Sequence, residues 1–481
     1  MPLENPHRDL PITGNEVDGQ CKKVDCFLSF LLIIPAISNS KQHVRAKKWI
    51  LTSIASLSAA AAPLGSTILM PALPQIATDL HTTRTTANLS IAFYALSMAI
   101  IPLWWSTISE MYGRRPVYIV SFILFLVCNI LSALSTSIAM FIDMRVLAGG
   151  ASASVQAVGA GTIADLWEVK ERGKAMGIFF LGPMLGPLLA PIIGGAVTQK
   201  WGWRSTQWAM VIYGVVVLVL MVICMPETSG SFRHNKTAEV KVLQQIQRVL
   251  VDPFKIVRFI ACPPILITVY YASVTFASYY FLNISIQSSF SQPPYSFSPI
   301  ILGLMYIPSA LGSVAAAMLG GRWSDYIMRR EAAAAGNYEP SGELRFRPAD
   351  RMKENAWIAG LLYPAAMLCY GWTVDKHVFW LVPCITNFFF GFGNNLIFNM
   401  ATTMLTEFIP NRASTGVALN NLFRNLLSCV TAIVTEPLIV SIGNGWLFTI
   451  VSFICWLSMG VILIMKRRAN QWAEEMGHRL L

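Results

Sequence analysis

Charge is scarce in this chain. Of its 481 residues only 13% are charged while 54% are hydrophobic. A water-soluble chain carries about 25% charged residues. Mean hydropathy is +0.54. So much apolar surface cannot all hide in one aqueous core, which excludes an ordinary soluble domain and makes lipid the natural solvent. Catalytic signatures are also missing. There is no Gly-x4-Gly-Lys-Ser/Thr loop to cradle ATP phosphates, no His-Glu-x-x-His and no Gly-x-Ser-x-Gly. The six histidines are dispersed. The nine cysteines (Cys21, Cys26, Cys128, Cys224, Cys262, Cys369, Cys384, Cys429 and Cys455) show no metal-ligand spacing, and seven lie in or against apolar runs. They read as small apolar fillers. No enzyme, metal or cofactor is implied. The net charge of +11 does not point to nucleic acid either, because the basic residues sit between apolar runs rather than on one soluble face.

What is abundant is long hydrophobic runs. A membrane helix needs about 20 apolar residues to cross a hydrocarbon core of about 30 Å. Candidate spans fall near 49–73, 87–108, 117–136, 138–164, 173–197 and 205–226. After a polar break come six more, near 262–288, 298–321, 354–373, 377–406, 413–440 and 445–465. The expected fold is all-α, with about 12 transmembrane helices in two six-helix halves. Its parts are an N-terminal segment 1–48, a first half 49–226, a central loop 227–261, a second half 262–465 and a short tail 466–481.

With both termini cytoplasmic, the inner segments hold 30 of the 36 basic residues. The outer loops hold only Arg84, Lys200, Arg204 and Lys376; Arg145 and Arg424 lie within spans. Positive residues favour the inside, so this is the expected orientation, with long inner loops at 227–261 and 322–353. The apolar stretch Cys26–Ile37 is about 12 residues, too short to span and poorly placed for a signal peptide.

The chain contains an internal echo. Between spans 2 and 3 it reads Ser106-Thr-Ile-Ser-Glu110-Met-Tyr-Gly113-Arg114-Arg115-Pro116; between spans 8 and 9 it reads Gly321-Arg-Trp-Ser-Asp325-Tyr-Ile-Met-Arg329-Arg330. Each has an acid four residues after a small residue, then two arginines four and five further on. Matched copies suit two parallel halves. An acid and two arginines on an inner loop can hold helix ends together by charge-assisted hydrogen bonds, and releasing them would let the halves rock. Span 5 carries Gly177, Gly186, Pro187, Ala190, Pro191, Gly194 and Gly195. Small residues admit close backbone approach, and its prolines each remove a helical hydrogen bond and bend the helix.

These residues resemble a known family. The first copy resembles the loop signature of the major facilitator superfamily, Gly-x-Leu-Ala-Asp-Arg-x-Gly-Arg-Lys, with Ser106 for its first Gly and Glu110 for its Asp. The second keeps Gly321 and Asp325 but has Met328 for the later Gly. Span 5 resembles the antiporter signature Gly-x8-Gly-x3-Gly-Pro-x2-Gly-Gly, with Ala190 for its third Gly. The similarity runs from about residue 48 and includes Arg145 and Pro226-Glu227-Thr228; it is nearest to the fungal 12-spanner drug:proton antiporters of the quinidine-resistance and dityrosine-transporter branch. The resemblance implies a major facilitator fold, alternating access and export of small organic compounds in exchange for protons. It also ties Arg145 to proton coupling. The alternatives are proton-coupled uptake and a transport-incompetent sensor on the same fold; the short tail speaks against the sensor.

Charge inside a membrane is costly and usually functional. Asp143 and Arg145, two residues apart, face different ways. Glu436 is the best-buried carboxyl, and a carboxyl in apolar surroundings takes a proton more readily than one in water. Asp143 or Glu436 is therefore expected to carry the proton, with Arg145 tuning it. Span 1 has no acid. Polar strips mark a substrate cavity: Tyr279 and Asn283 on span 7, Asn387, Asn394, Asn395 and Asn399 on span 10, Asn421 and Arg424 on span 11. Aromatic faces with amides suit a bulky, partly aromatic compound, a cation included through cation–π contact. The expected partners are that small molecule, protons and the bilayer, with the protein a monomer in the plasma membrane.

Overall fold

The computed structural model describes residues 44–228, 256–334, 336, 353–408 and 413–479. The stretch 26–37 and most of the central loop lie outside the described residues. Among the described residues, eleven helical segments are long and apolar enough to cross a membrane. The last of them, Gly416–Arg468, is 53 residues long. That is about 80 Å of helix at 1.5 Å per residue, far more than one crossing needs. The helix is broken at Gly443, whose φ of 77° and ψ of 168° no L-residue adopts comfortably. The chain reverses there. Trp372 of span 9 donates to Thr449, Ser452 donates to the Pro364 carbonyl, and Trp456 donates to the Leu361 carbonyl. As numbers rise along the last helix they fall along span 9, so the chain runs back. Residues 413–442 are span 11 and residues 444–468 are span 12, which makes twelve crossings among the described residues.

Span 1 is segmented: helices Arg45–Ala59, Ala61–Thr67 and Leu73–Asp79 joined through a 3₁₀ turn Met70–Ala72. The next crossings are span 2, Arg84–Tyr112; span 3, Arg114–Ala133; span 4, Ile138–Leu166; span 5, Val169–Trp201; and span 6, Arg204–Cys224. The second half has span 7, Pro263–Phe290; span 8, Pro299–Ala334; span 9, Glu354–Asp375; and span 10, Leu381–Phe408. The connections near 80–83, 134–137, 202–203, 291–298 and 376–380 are brief and share one end of the bundle, here the short-loop end. The loop-signature end carries Gly113.

The outward faces are apolar. Val120, Ile123, Leu124, Val127 and Leu131 of span 3 are exposed at helical spacing, as are Phe453, Ile454 and Leu457 of span 12. An exposed stripe of this kind faces lipid tails, where no water penalises it. One expectation changes. Span 8 continues as helix to Ala334, so the second echo, Gly321 to Arg330, is helical rather than the start of an inner loop.

Candidate functional site

The loop-signature end is built around a helix start. Span 2 ends at Tyr112; Gly113, at φ 93°, turns the chain, and span 3 begins at Arg114. Glu227, after span 6, caps that start: its carboxylate accepts from the backbone N–H of Arg114 at 2.9 Å and of Arg115 at 3.0 Å. A negative group is favoured at a helix N-terminus, where backbone donors are unfilled. A Cβ on Gly113 would lie 2.5 Å from that carboxylate. The Arg114 side chain pairs with Asp165 of span 4 at 3.3 Å and donates to Ser109 at 2.8 Å. Arg115 donates to the Val222 carbonyl. The acids that hold the arginines are therefore Asp165 and Glu227. Glu110 is exposed with no ion pair among the described residues, and Ser106 is half-buried.

The second echo works differently. Arg330 bridges Glu331 and Glu354, each at 2.8 Å, and Lys353 pairs with Glu331 at 2.8 Å. This ties span 8 to span 9. Arg329 and Gly321 are exposed. Asp325 lies on the helix, with its side chain outside the described residues.

Span 5 lies against span 1 and span 8. Cβ atoms on Gly182 and Gly194 would collide with the carbonyls of Ser56 and Ile68, both on span 1, and one on Gly195 with the carbonyl of Pro299. A Cβ on Gly186 would stand 3.0 Å from Pro63. Gly177 has nothing within 4 Å. Ala190 is fully buried. Pro183, Pro187 and Pro191 recur every four residues inside this helix, so the bonds they remove lie along one face.

The halves are joined by hydrogen bonds at the short-loop end, and toward the loop-signature end Ala99 and Leu103 of span 2 pack with Leu422 of span 11. Arg84 of span 2 donates to the Ser288 carbonyl at 3.3 Å and to the Ser291 hydroxyl at 3.0 Å, both at the end of span 7. The Ser288 hydroxyl donates to Glu436 of span 11 at 3.0 Å. Glu436 is 4% exposed, and its second oxygen has no hydrogen-bond partner. Gln199 of span 5 accepts from the Ile300 N–H of span 8. Deeper in, Ser66 and Tyr280 hydroxyls pair at 3.1 Å between spans 1 and 7.

Around that last pair sit the two arginines of the membrane interior. Arg145 is fully buried, stacks 4.0 Å from the Tyr94 ring and donates to the Gly65 carbonyl at 2.8 Å. Arg424 stacks 4.3 Å from Phe276 and 5.3 Å from Phe398. Tyr280 lies within electrostatic reach of both guanidiniums. Tyr279 is half-buried beside Phe276. Asn283 and Asn387 are fully buried; Asn283 lies beside the Tyr279 hydroxyl, and both amide atoms of Asn387 are unpartnered. Asn421 is half-buried and Asn399 exposed. Asn394 and Asn395 instead tie helices: the first donates to the Thr275 carbonyl and Ser278, the second to the Ser313 carbonyl. Asp143 is exposed, turned away from buried Arg145. An apolar groove of about 550 Å³ lined by Phe297, Leu304, Trp380 and Cys384 lies apart from these charges.

Sequence reading missed Tyr94 and Ser288, the role of Arg84, and the pairing of Asp165 with Arg114. Arg84 was visible as one of four basic residues on the outer side, but its partners are over 200 positions away. No cluster of three or more His, Cys, Asp or Glu able to hold a metal occurs among the described residues.

Known proteins share this architecture. The family model described as Major Facilitator Superfamily matches residues 55–432. MFS transporter OpS2 of Beauveria bassiana is 56% identical over 346 residues, which are 68% of this chain and 99% of that protein. MFS antiporter QDR3 of Candida albicans is 32% identical, with 93% of this chain and 81% of that one covered. Among solved structures, a D-xylose-proton symporter superposes with a TM-score of 0.63 at 16% identity, over 86% of this chain and 96% of that chain. At that identity the likeness concerns the fold alone.

Proposed function

We propose, from the premise that the chain belongs to the major facilitator superfamily, that it exports small organic compounds in exchange for protons by alternating access. The chain is a multi-pass membrane transporter of the fungal efflux type. In the orientation set by its basic residues, both termini and the loop-signature end are cytoplasmic, the membrane is the plasma membrane, and the unit is a monomer.

The observation that carries the proton step is Glu436, a buried carboxyl built into the contact that joins the halves. In its charged form it attracts Arg84 and accepts from Ser288, which Arg84 also grips. A proton on Glu436 removes the charge and loosens that chain of bonds. The short-loop end then opens more readily, and Glu436 loses its proton again only when the cavity reaches the cytoplasm. A ligand that binds one state better shifts the balance between states, and proton and substrate are coupled through that difference. Arg145 pairs with no acidic side chain among the described residues; it holds the Gly65 carbonyl and the Tyr94 ring together across spans 1, 2 and 4. The relative named as an antiporter agrees with exchange, and the span 5 signature agrees with export.

The test is substrate efflux from proteoliposomes with and without an imposed proton gradient. Efflux that rises at least tenfold with the gradient supports the reading. Efflux indifferent to it removes the proton from the mechanism.

A further inference from the structure

The central site has an unusual charge balance. Two guanidiniums, Arg145 and Arg424, stand on opposite halves, each within electrostatic reach of Tyr280. Among the described residues neither forms an ion pair. Arg145 keeps Nε and Nη1 without partners although fully buried, and Arg424 keeps Nε without one. A guanidinium offers five N–H donors and no acceptor, and a charge held away from water without hydrogen bonds is costly. The nearest carboxyl on the same helix, Glu436, is twelve residues from Arg424, about 18 Å along the axis, and is engaged with Ser288.

The aromatic faces tell the same story. A cation would seek the rings of Tyr94, Phe276 and Phe398. Those rings are already covered by the chain's own guanidiniums, at 4.0, 4.3 and 5.3 Å. An incoming cation would find the rings taken and two like charges beside them. A carboxylate would find unfilled N–H donors on both halves, in a geometry suited to charge-assisted and bidentate bonds. Arg424 is half-buried, less enclosed than Arg145.

We propose that the substrate of this site is an organic anion: an aromatic or otherwise apolar body with an acidic head seated between Arg145 and Arg424. This names a substrate class for the transport reading above and rests on it. It also gives a reason for the halves to close around cargo, since one anion engages an arginine from each.

Three probes of one shape separate charge from size: 2-naphthoate, naphthalene-2-carboxamide and (2-naphthyl)trimethylammonium. Binding to the purified full chain is read by calorimetry, and transport is read in phosphatidylcholine–phosphatidylethanolamine proteoliposomes. The expected result is naphthoate binding at least tenfold tighter than the ammonium. Arg424→Gln should weaken naphthoate at least tenfold and the carboxamide by a clearly smaller factor, with an unchanged thermal unfolding midpoint showing that the protein still folds. Equal or tighter binding of the ammonium by the wild-type protein overturns the proposal, as does an equal loss of naphthoate and carboxamide in the variant. Naphthoate bound but not moved under any gradient would uphold the anion site and sink the export reading. The ammonium bound and moved in its place would do the reverse.

Discussion

Single side chains decide the coupling. Glu436 is the carboxyl placed where a proton would change the contact between halves, because Ser288 links it to Arg84 across them. Glu436→Gln keeps an oxygen that accepts from Ser288 but cannot carry the charge. It should lose at least tenfold in gradient-driven efflux and keep substrate binding, and its efflux should no longer respond to pH on the short-loop side. The direction follows from the charge: in the wild type, acid on that side loosens the contact. Asp143→Asn should leave the pH profile within twofold of wild type, since Asp143 is exposed and away from Arg145. Unchanged pH dependence in the Glu436 variant would move the proton elsewhere. At the other end Arg114→Ala breaks the pairs with Asp165 and Ser109. Transport should fall at least fivefold with membrane insertion intact, and Asp165→Asn should match it. Glu110→Ala should be near wild type. If Glu110→Ala were the damaging change and Asp165→Asn the silent one, the gate would work through contacts other than these.

At the scale of a helix, span 5 shows how one motif divides into positions with different duties. Gly182 and Gly194 sit against carbonyls of span 1, and Gly195 against one of span 8. Backbone carbonyls cannot rotate aside, so a side chain there must push helices apart, and overpacking costs about 1–3 kcal/mol. Gly194→Leu should therefore abolish efflux or leave it leaky to protons and lower thermal stability in detergent. Gly177→Leu, with nothing within 4 Å of its Cβ position, should transport at more than half the wild-type rate. Equal damage at both sites would mean that the signature acts through something other than close packing. The spans themselves were readable because a run of about 20 apolar residues has few alternatives in lipid. Their ends and partners were not. Arg84 meets Ser288 204 positions away, and Arg114 meets Glu227 113 positions away. Periodicity carries no register between helices. The acid nearest in sequence, Glu110, was for that reason the natural partner to expect for Arg114, and the tertiary fold brought in Asp165 instead. The helical second echo likewise follows from Arg330 and Lys353 stitching spans 8 and 9 through Glu331 and Glu354, a pairing that depends on where span 9 returns.

For the whole molecule the question is whether the halves move. Hydrogen bonds between them at Arg84–Ser288, Arg84–Ser291 and Gln199–Ile300 join the short-loop end, and Ser66–Tyr280 joins them deeper in. Transport by alternating access requires that these bonds break in every cycle. A covalent tie at the same place should therefore stop it. Gln199 and Ile300 suit the tie: they touch through one bond, 3.2 Å from side-chain oxygen to backbone nitrogen, and both are at the rim. Gln199→Cys with Ile300→Cys, made after the nine native cysteines are replaced, should respond to a bifunctional thiol reagent of short span. Treated protein should lose more than nine-tenths of its transport, each single-cysteine variant should keep its activity after the same treatment, and a cleavable reagent followed by reductant should restore the double variant. The reduced double variant serves as its own control for folding. If cross-linked protein moved substrate at the untreated rate, the short-loop end would not open during transport, and the link between Glu436 and movement of the halves would fail with it.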